Sequence, residues 1–175
     1  MTVEAPMDVS GSIPIDIPLK DADAQMAFGQ CLAGFLVPPF ALDLDGDLGT
    51  GKTTLARGIL RGLGHAGAVR SPTYTLIEPY ELAAGPLYHL DLYRLADPDE
   101  LEYLGLRDLL TQDAIRILEW PERGAGALPP PDLLIQLDYL AAGRRLRLRP
   151  GTASGTRVAQ AAVDAWRRAG AGSAG

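Results

Sequence analysis

Apolar positions along this chain follow two rhythms, one of period two and one of helical spacing. Ile13, Ile15 and Ile17 alternate with polar residues or proline, which predicts a short strand. From Asp21 or Asp23, either of which can cap a helix, Met26, Phe28, Leu32 and Phe35 mark the apolar side of a helix to about Val37. Pro38 and Pro39 stop it. Phe40 to Leu44 predicts a strand with Asp43 inside it. A glycine-rich turn over Gly46–Gly51 follows, then a helix from Lys52 to about Leu63 closed by Gly64.

Tyr74–Ile77, Leu87–Leu90 and Ile115–Leu118 predict three further strands. A helical piece from about Pro98 to Leu110 lies between the last two, with Asp97 as its N-cap. Gly124–Pro131 reads as a loop. Leu133–Leu137 and Leu146–Leu148 read as strands joined at Ala142-Gly143, a hairpin. A last helix, about Thr156 to Arg168, sets Val158, Ala162 and Trp166 on one face. The alternation predicts an α/β domain: a mostly parallel central sheet, helices on both faces and a C-terminal antiparallel edge hairpin. The expected organisation is a loose leader over 1–12, one domain over 13–150, and a C-terminal helix with a frayed tail over 151–175.

Composition narrows the class. The chain has 175 residues, 47% hydrophobic and 22% charged, as one globular domain requires. One cysteine, Cys31, forms no internal disulfide and no Cys-based zinc site, and suits a reducing cytoplasm. No secretory signal is expected, because the first basic residue is Lys20 and Glu4, Asp8 and Asp16 interrupt the start. The most apolar stretch, Cys31–Leu42, is too short and too broken to span a bilayer, so a membrane protein is not expected.

Charge is unevenly placed. Residues 1–140 carry 21 acids and 9 bases; residues 141–175 carry one acid and seven bases. The body repels a phosphate backbone and the C-terminal part attracts one. Arg145, Arg147 and Arg149 share one strand face, read as a solvated edge that discourages strand pairing, with a tRNA contact as the other reading.

Only Lys20 and Lys52 are lysine among sixteen basic residues, so a lysine motif is a rare coincidence here. Gly46-Asp47-Leu48-Gly49-Thr50-Gly51-Lys52-Thr53 satisfies G-x-x-x-x-G-K-[ST]. Chance supplies on the order of 0.002 such matches in this length. Glycines let the backbone aim N–H groups at one phosphate, and the helix after them turns its positive end to the same place. Asp47, Leu48, Gly49, Thr50, Gly51, Lys52, Thr53 and Thr54 are therefore the candidate phosphate-binding residues. Lys52 would meet the β and γ phosphates, and the Thr53 hydroxyl would hold Mg²⁺. Leu48 and Thr54 stand where an EF-hand needs Gly and Glu, and no dinucleotide fingerprint is present.

Such a loop needs a carboxylate near the metal and a group to order the attacking water. Asp91 after Leu87–Leu90 and Glu119 after Ile115–Leu118 both sit at strand ends, where the nucleotide crevice opens. Position alone does not choose between them. Ser71-Pro72-Thr73-Tyr74 supplies hydroxyls after the phosphate-loop helix. Arg94, read from the residues alone, is a surface ion pair.

Together, Gly-Asp-Leu-Gly-Thr-Gly-Lys-Thr-Thr (46–54), Ser-Pro-Thr-Tyr (71–74), His-Leu-Asp-Leu-Tyr-Arg (89–94) and Glu-Trp-Pro-Glu (119–122) resemble the TsaE (YjeE) family over roughly residues 20–150. The resemblance implies a small P-loop NTPase domain binding ATP and Mg²⁺. It gives Lys52 and Thr53 to phosphate and metal, Thr73 to a switch-like loop, and Asp91 and Glu119 to metal and catalysis, with Glu119 favoured over Asp91 as the metal partner. Tyr93, Arg94 and Trp120 match further signature positions. The implied partners are a TsaD-type threonylcarbamoyl transferase and a TsaB-type companion, with tRNA reached through that complex. ATP hydrolysis in this scheme supports turnover of the complex that modifies adenosine 37, not the transfer itself. The competing readings are a P-loop kinase for a nucleoside or small molecule, for which no lid segment is evident, and a nucleotide-gated binding module.

Overall fold

The computed structural model describes residues 13–172. Seven strands form one sheet: β1 (Ile15–Leu19), β2 (Phe40–Gly46), β3 (Ile77–Leu82), β4 (Gly85–Asp91), β5 (Ile115–Glu119), β6 (Leu133–Tyr139) and β7 (Arg144–Pro150). Their order is β1-β7-β6-β2-β5-β4-β3. The four central strands, β6, β2, β5 and β4, are parallel, and both flanks are antiparallel. The helices are α1 (Ala22–Ala33), α2 (Lys52–Gly62), the short α3 (Glu100–Tyr103) and α4 (Leu106–Leu110), and α5 (Ala153–Gly172). No helix among the described residues is long and apolar enough to cross a membrane.

The strands split their side chains between two cores. On one face Leu42, Leu44, Ile117 and Ile135 meet Phe28 and Leu32 of α1, Leu55 and Ile59 of α2, and Val158 and Ala162 of α5. On the other, Leu90 and Leu118 pack with Leu92, Leu95, Leu101 and Leu106 around α3 and α4. Helices thus cover both faces, as the alternation predicts. α1 and α2 approach backbone to backbone: a Cβ on Gly29 would sit 2.6 Å from the Leu55 carbonyl oxygen. Only glycine permits that contact, and it brings α1 up to the start of α2.

Several expectations need correction. The strand expected at Tyr74–Ile77 lies at Ile77–Leu82 and makes an unforeseen hairpin with β4. Residues 73–76 form a turn instead, closed by Leu76 N–H donating to the Pro72 carbonyl at 2.7 Å, with Leu76 at φ 66°. Pro79 masked the real strand in the sequence; β3 is an edge, where a proline is tolerated. The helix expected over 98–110 is broken at Gly105, which takes φ 70°. α1 ends at Ala33 on Gly34, earlier than Val37. β7 is not an edge, because β1 covers it. Its arginines have partners: Arg145 with Asp138 at 2.8 Å, Arg147 with Asp16 at 2.8 Å, and Arg149 with Gln136 at 2.5 Å.

α5 begins at Ala153 and contributes Val158, Ala159, Ala162 and Val163 to the larger core, and Trp166 meets Phe28 edge-on at 5.5 Å. The segment beyond 150 therefore shares the core of the domain it was expected to follow. The leader over 1–12 and the end of the tail at 173–175 lie outside the described residues.

Asp43, unexplained by the sequence, points to the smaller core and lies 3.6 Å from Arg116 on β5. Burial pushes its carboxyl up to about 6, against the pull of Arg116.

Candidate nucleotide site

The site grows from the end of β2. Between Gly46 and α2 the backbone passes through Gly49 at φ 80° and Gly51 at φ 99°, left-handed positions that favour glycine. The first helical bond of α2 runs from Leu55 N–H to the Gly51 carbonyl at 2.9 Å. The N–H groups of Lys52, Thr53 and Thr54 thus have no acceptor within the helix and are left for an anion. The loop is held from two sides. Gln25 of α1, buried, donates through Nε2 to the carbonyls of Thr50 at 3.0 Å and Gly51 at 3.2 Å. Tyr139 of β6 donates to the Leu48 carbonyl at 2.6 Å.

The parallel register of β4 and β5 sets Asp91 directly beside Glu119 at the C-terminal edge. The Thr53 hydroxyl donates to Glu119 Oε1 at 3.1 Å, with Oε2 at 3.4 Å. Asp91 accepts from the Thr73 hydroxyl at 2.9 Å and from the Tyr93 N–H at 2.9 Å, which ties the 71–76 turn to the strand end. Burial holds the Asp91 carboxyl above the usual range, and the neighbouring Glu119 adds to it. The Lys52 ammonium donates to the carbonyls of Gly46 and of Asp47 and lies over the Trp120 ring. Burial lowers its pKa, and Glu119, the largest of the opposing charges, pulls it back up.

These residues line one open cavity of about 400 Å³. It gathers Leu48, Gly49, Gly51, Lys52, Thr53, Thr54, Thr73, Asp91 and Glu119, together with Ser71, Tyr93 and Trp120. Two of the sequence candidates do not line it. Asp47 faces a smaller recess with Asp45, Glu122 and Asp138, and the buried Thr50 turns its hydroxyl onto the Asp47 carbonyl at 2.8 Å. Arg94 forms no ion pair among the described residues; its guanidinium stands 4.3 Å from the Tyr74 ring centre.

Three participants were missed. Gln25 reaches the loop from 25 residues upstream, with no local pattern to announce it. Tyr139 arrives by the β6 crossover. His89, buried behind Glu119, had a signal: it is two residues before Asp91 on one strand, hence on the same face.

No group of three or more His, Cys, Asp or Glu side chains gathers as a metal cage among the described residues. The donors present are one hydroxyl and two crowded carboxylates, hard oxygen ligands of the kind a divalent magnesium ion takes with few protein contacts.

The chain is similar to known proteins of one family. The family model described as threonylcarbamoyl adenosine biosynthesis protein TsaE matches residues 19–146. A tRNA threonylcarbamoyladenosine biosynthesis protein TsaE from Haemophilus influenzae is 45% identical over 148 residues, covering 82% of this chain and 94% of the relative. Its namesake from Bacillus subtilis is 40% identical over 109 residues, 62% of this chain and 68% of the relative. The crystal structure of Bacillus subtilis YdiB superposes with a TM-score of 0.74 at 26% identity, covering 87% of this chain and 95% of that one.

Proposed function

This chain belongs to the TsaE family of threonylcarbamoyl adenosine biosynthesis proteins, and from that premise we propose that it is the Mg²⁺-dependent ATPase of the pathway. Its role is in tRNA threonylcarbamoyladenosine biosynthesis, as in the relatives. The family match gives no support to the alternative of a small-molecule kinase. The ATPase reading rests on one observation above the others: the Thr53 hydroxyl at the phosphate loop meets the Glu119 carboxylate inside a cavity that also holds Lys52 and Asp91.

In this reading the backbone of Leu48–Thr54 wraps the phosphates, with the free N–H groups of Lys52, Thr53 and Thr54 donating. Asp47 and Thr50 act through their backbone and by holding the loop's shape. The Lys52 ammonium exchanges two carbonyls and an aromatic face for phosphate oxygens. Thr53 and Glu119 would hold Mg²⁺, with Asp91 beside them. When bound, the ion would supply positive charge against the phosphates. Asp91 orders the attacking water and keeps Thr73 at the site. Water must attack in line with the departing phosphate, so positioning and charge carry the catalysis.

The partners are a TsaD-type transferase and a TsaB-type companion, with tRNA reached through them. An ATPase assay with and without that pair tests the proposal. Hydrolysis is expected to need Mg²⁺, to rise with the pair, and to vanish in Lys52→Ala. A chain that binds no ATP, or that binds it equally well after Lys52→Ala, would overturn the reading.

A further inference from the structure

Behind Glu119 stands a histidine with no assigned work. His89 is fully buried on β4, two residues before Asp91 and on the same face of the sheet. Its Nε2 lies 3.2 Å from Glu119 Oε1. Its Nδ1 is buried and has no hydrogen-bond partner among the described residues. One polar contact therefore justifies a polar side chain where leucine would pack.

The two tautomers are not equivalent here. A proton on Nδ1 would bury an N–H without an acceptor and would set the Nε2 lone pair against a carboxylate oxygen. A proton on Nε2 makes a charge-assisted donor to Oε1 and leaves only a bare lone pair at Nδ1. The environment selects the Nε2–H form.

Glu119 is then held from two elements at once. His89 donates from β4 and Thr53 donates from α2, both to Oε1, at 3.2 Å and 3.1 Å. A glutamate otherwise turns freely about its terminal torsions, and two donors on one oxygen fix the carboxylate plane. Oε2 stays 3.4 Å from the Thr53 hydroxyl, and Glu119 lines the cavity.

We propose that His89 is a positioning residue for Glu119: through Nε2–H it fixes the carboxylate in the orientation that faces Thr53 and the phosphate cavity. This rests on the function proposed above and adds to it a residue that touches neither phosphate nor metal.

Nitrogen NMR of the full, nucleotide-free chain tests the contact itself. The chain has 2 histidines, so His89→Gln assigns the spectrum at once. The expected result is a protonated Nε2 and a bare Nδ1 for His89; a proton on Nδ1 alone overturns the proposal. Kinetics of His89→Leu and His89→Gln test the consequence. Leucine fills the space without a donor, whereas the glutamine amide restores one. His89→Leu should lower kcat on the order of 10–100-fold, with the ATP KM within about threefold. His89→Gln should recover most of that loss. Wild-type turnover in His89→Leu, or equal losses in both variants, would show a packing role only and sink the proposal. If neither variant folds, His65→Gln, a change outside the cavity, assigns the wild-type spectrum by removing the other histidine, and that spectrum still decides. A wild-type chain without ATPase activity would defeat the functional reading, while the tautomer measurement would still decide whether His89 holds Glu119.

Discussion

The Lys52 ammonium lies 3.9 Å from the centre of the Trp120 ring while donating to the carbonyls of Gly46 and Asp47. The phosphate-loop lysine is thus parked on weak partners in a buried place. Trp120 takes φ 61°, a left-handed conformation that costs a non-glycine residue about 1–3 kcal/mol, and Tyr93 packs against it at 5.0 Å. On the proposed function, ATP would offer Lys52 a stronger partner and draw it off the ring. Titration with ATP should therefore change intrinsic tryptophan emission. Trp120→Phe should abolish the change and Trp166→Phe should keep it, because Trp166 packs on Phe28 in the core. A signal that follows Trp166 would contradict this account.

Glu119 and Asp91 separate in what their loss removes. Glu119→Gln keeps an acceptor for Thr53 but deletes the charge, so turnover should fall on the order of 10²–10⁴-fold with melting temperature nearly unchanged. Asp91→Asn should also slow turnover and should loosen the Thr73 turn, seen as faster amide exchange over residues 71–76. Because burial holds the Asp91 carboxyl up, wild-type turnover should decline on acidification earlier than an ordinary carboxylate dictates. Asp91→Asn should remove that acid limb; an unchanged limb would assign it to another group.

The central layout was legible because each of its signals is local. Gly46–Thr53 is contiguous, and Asp91 and Glu119 each end an apolar run, so parallel pairing of β4 with β5 brings them together. The edge hairpin was not legible, because Pro79 and the two glutamates in Ile77–Leu82 read as loop until β4 supplies a partner. Gln25 was hidden for another reason. Its role exists only once Gly29 and Gly58 let α1 and α2 close on each other. The arginines of β7 looked like an edge because the strand covering them, β1, lies 125 or more residues upstream.

Asp43 and Arg116 offer a stability test with a defined sign. The Asp43 carboxyl sits at about 6 when folded, against 3.8 as its ordinary value. A folded state that binds the proton more tightly is stabilised below the lower value and loses that stabilisation as pH rises through about 6. Above it the ionised, buried Asp43 relies on Arg116, only 10% exposed and 3.6 Å away. Arg116→Met alone should destabilise the chain at pH 7 by about 3–5 kcal/mol, since it strands the carboxylate. Asp43→Leu with Arg116→Met should restore wild-type stability or exceed it, and should lack the loss between pH 4 and 6. Urea melts across that range check both; additive penalties in the double variant would refute the pairing.

Gln25 and Gly51 make the last test, because they meet where α1 braces the phosphate loop. Gln25 Nε2 serves the carbonyls of Thr50 and Gly51, and both would lose their buried donor in Gln25→Leu. Two bonds at about 0.5–1.5 kcal/mol each, lost from the loop that must wrap phosphate, predict an ATP affinity lower by roughly tenfold. A Cβ at Gly51 would collide with the Gln25 amide, and the backbone there is at φ 99°. Gly51→Ala should therefore weaken ATP binding more than Gln25→Leu does. Adding Gln25→Ala to Gly51→Ala removes the collision but not the backbone strain, so affinity should return only in part. Full recovery would mean that the collision alone mattered, and no recovery that Gln25 does not govern the loop. Either result, read from nucleotide titrations of the four proteins, would dissolve the link drawn here between the α1–α2 glycine contact and the shape of the phosphate loop.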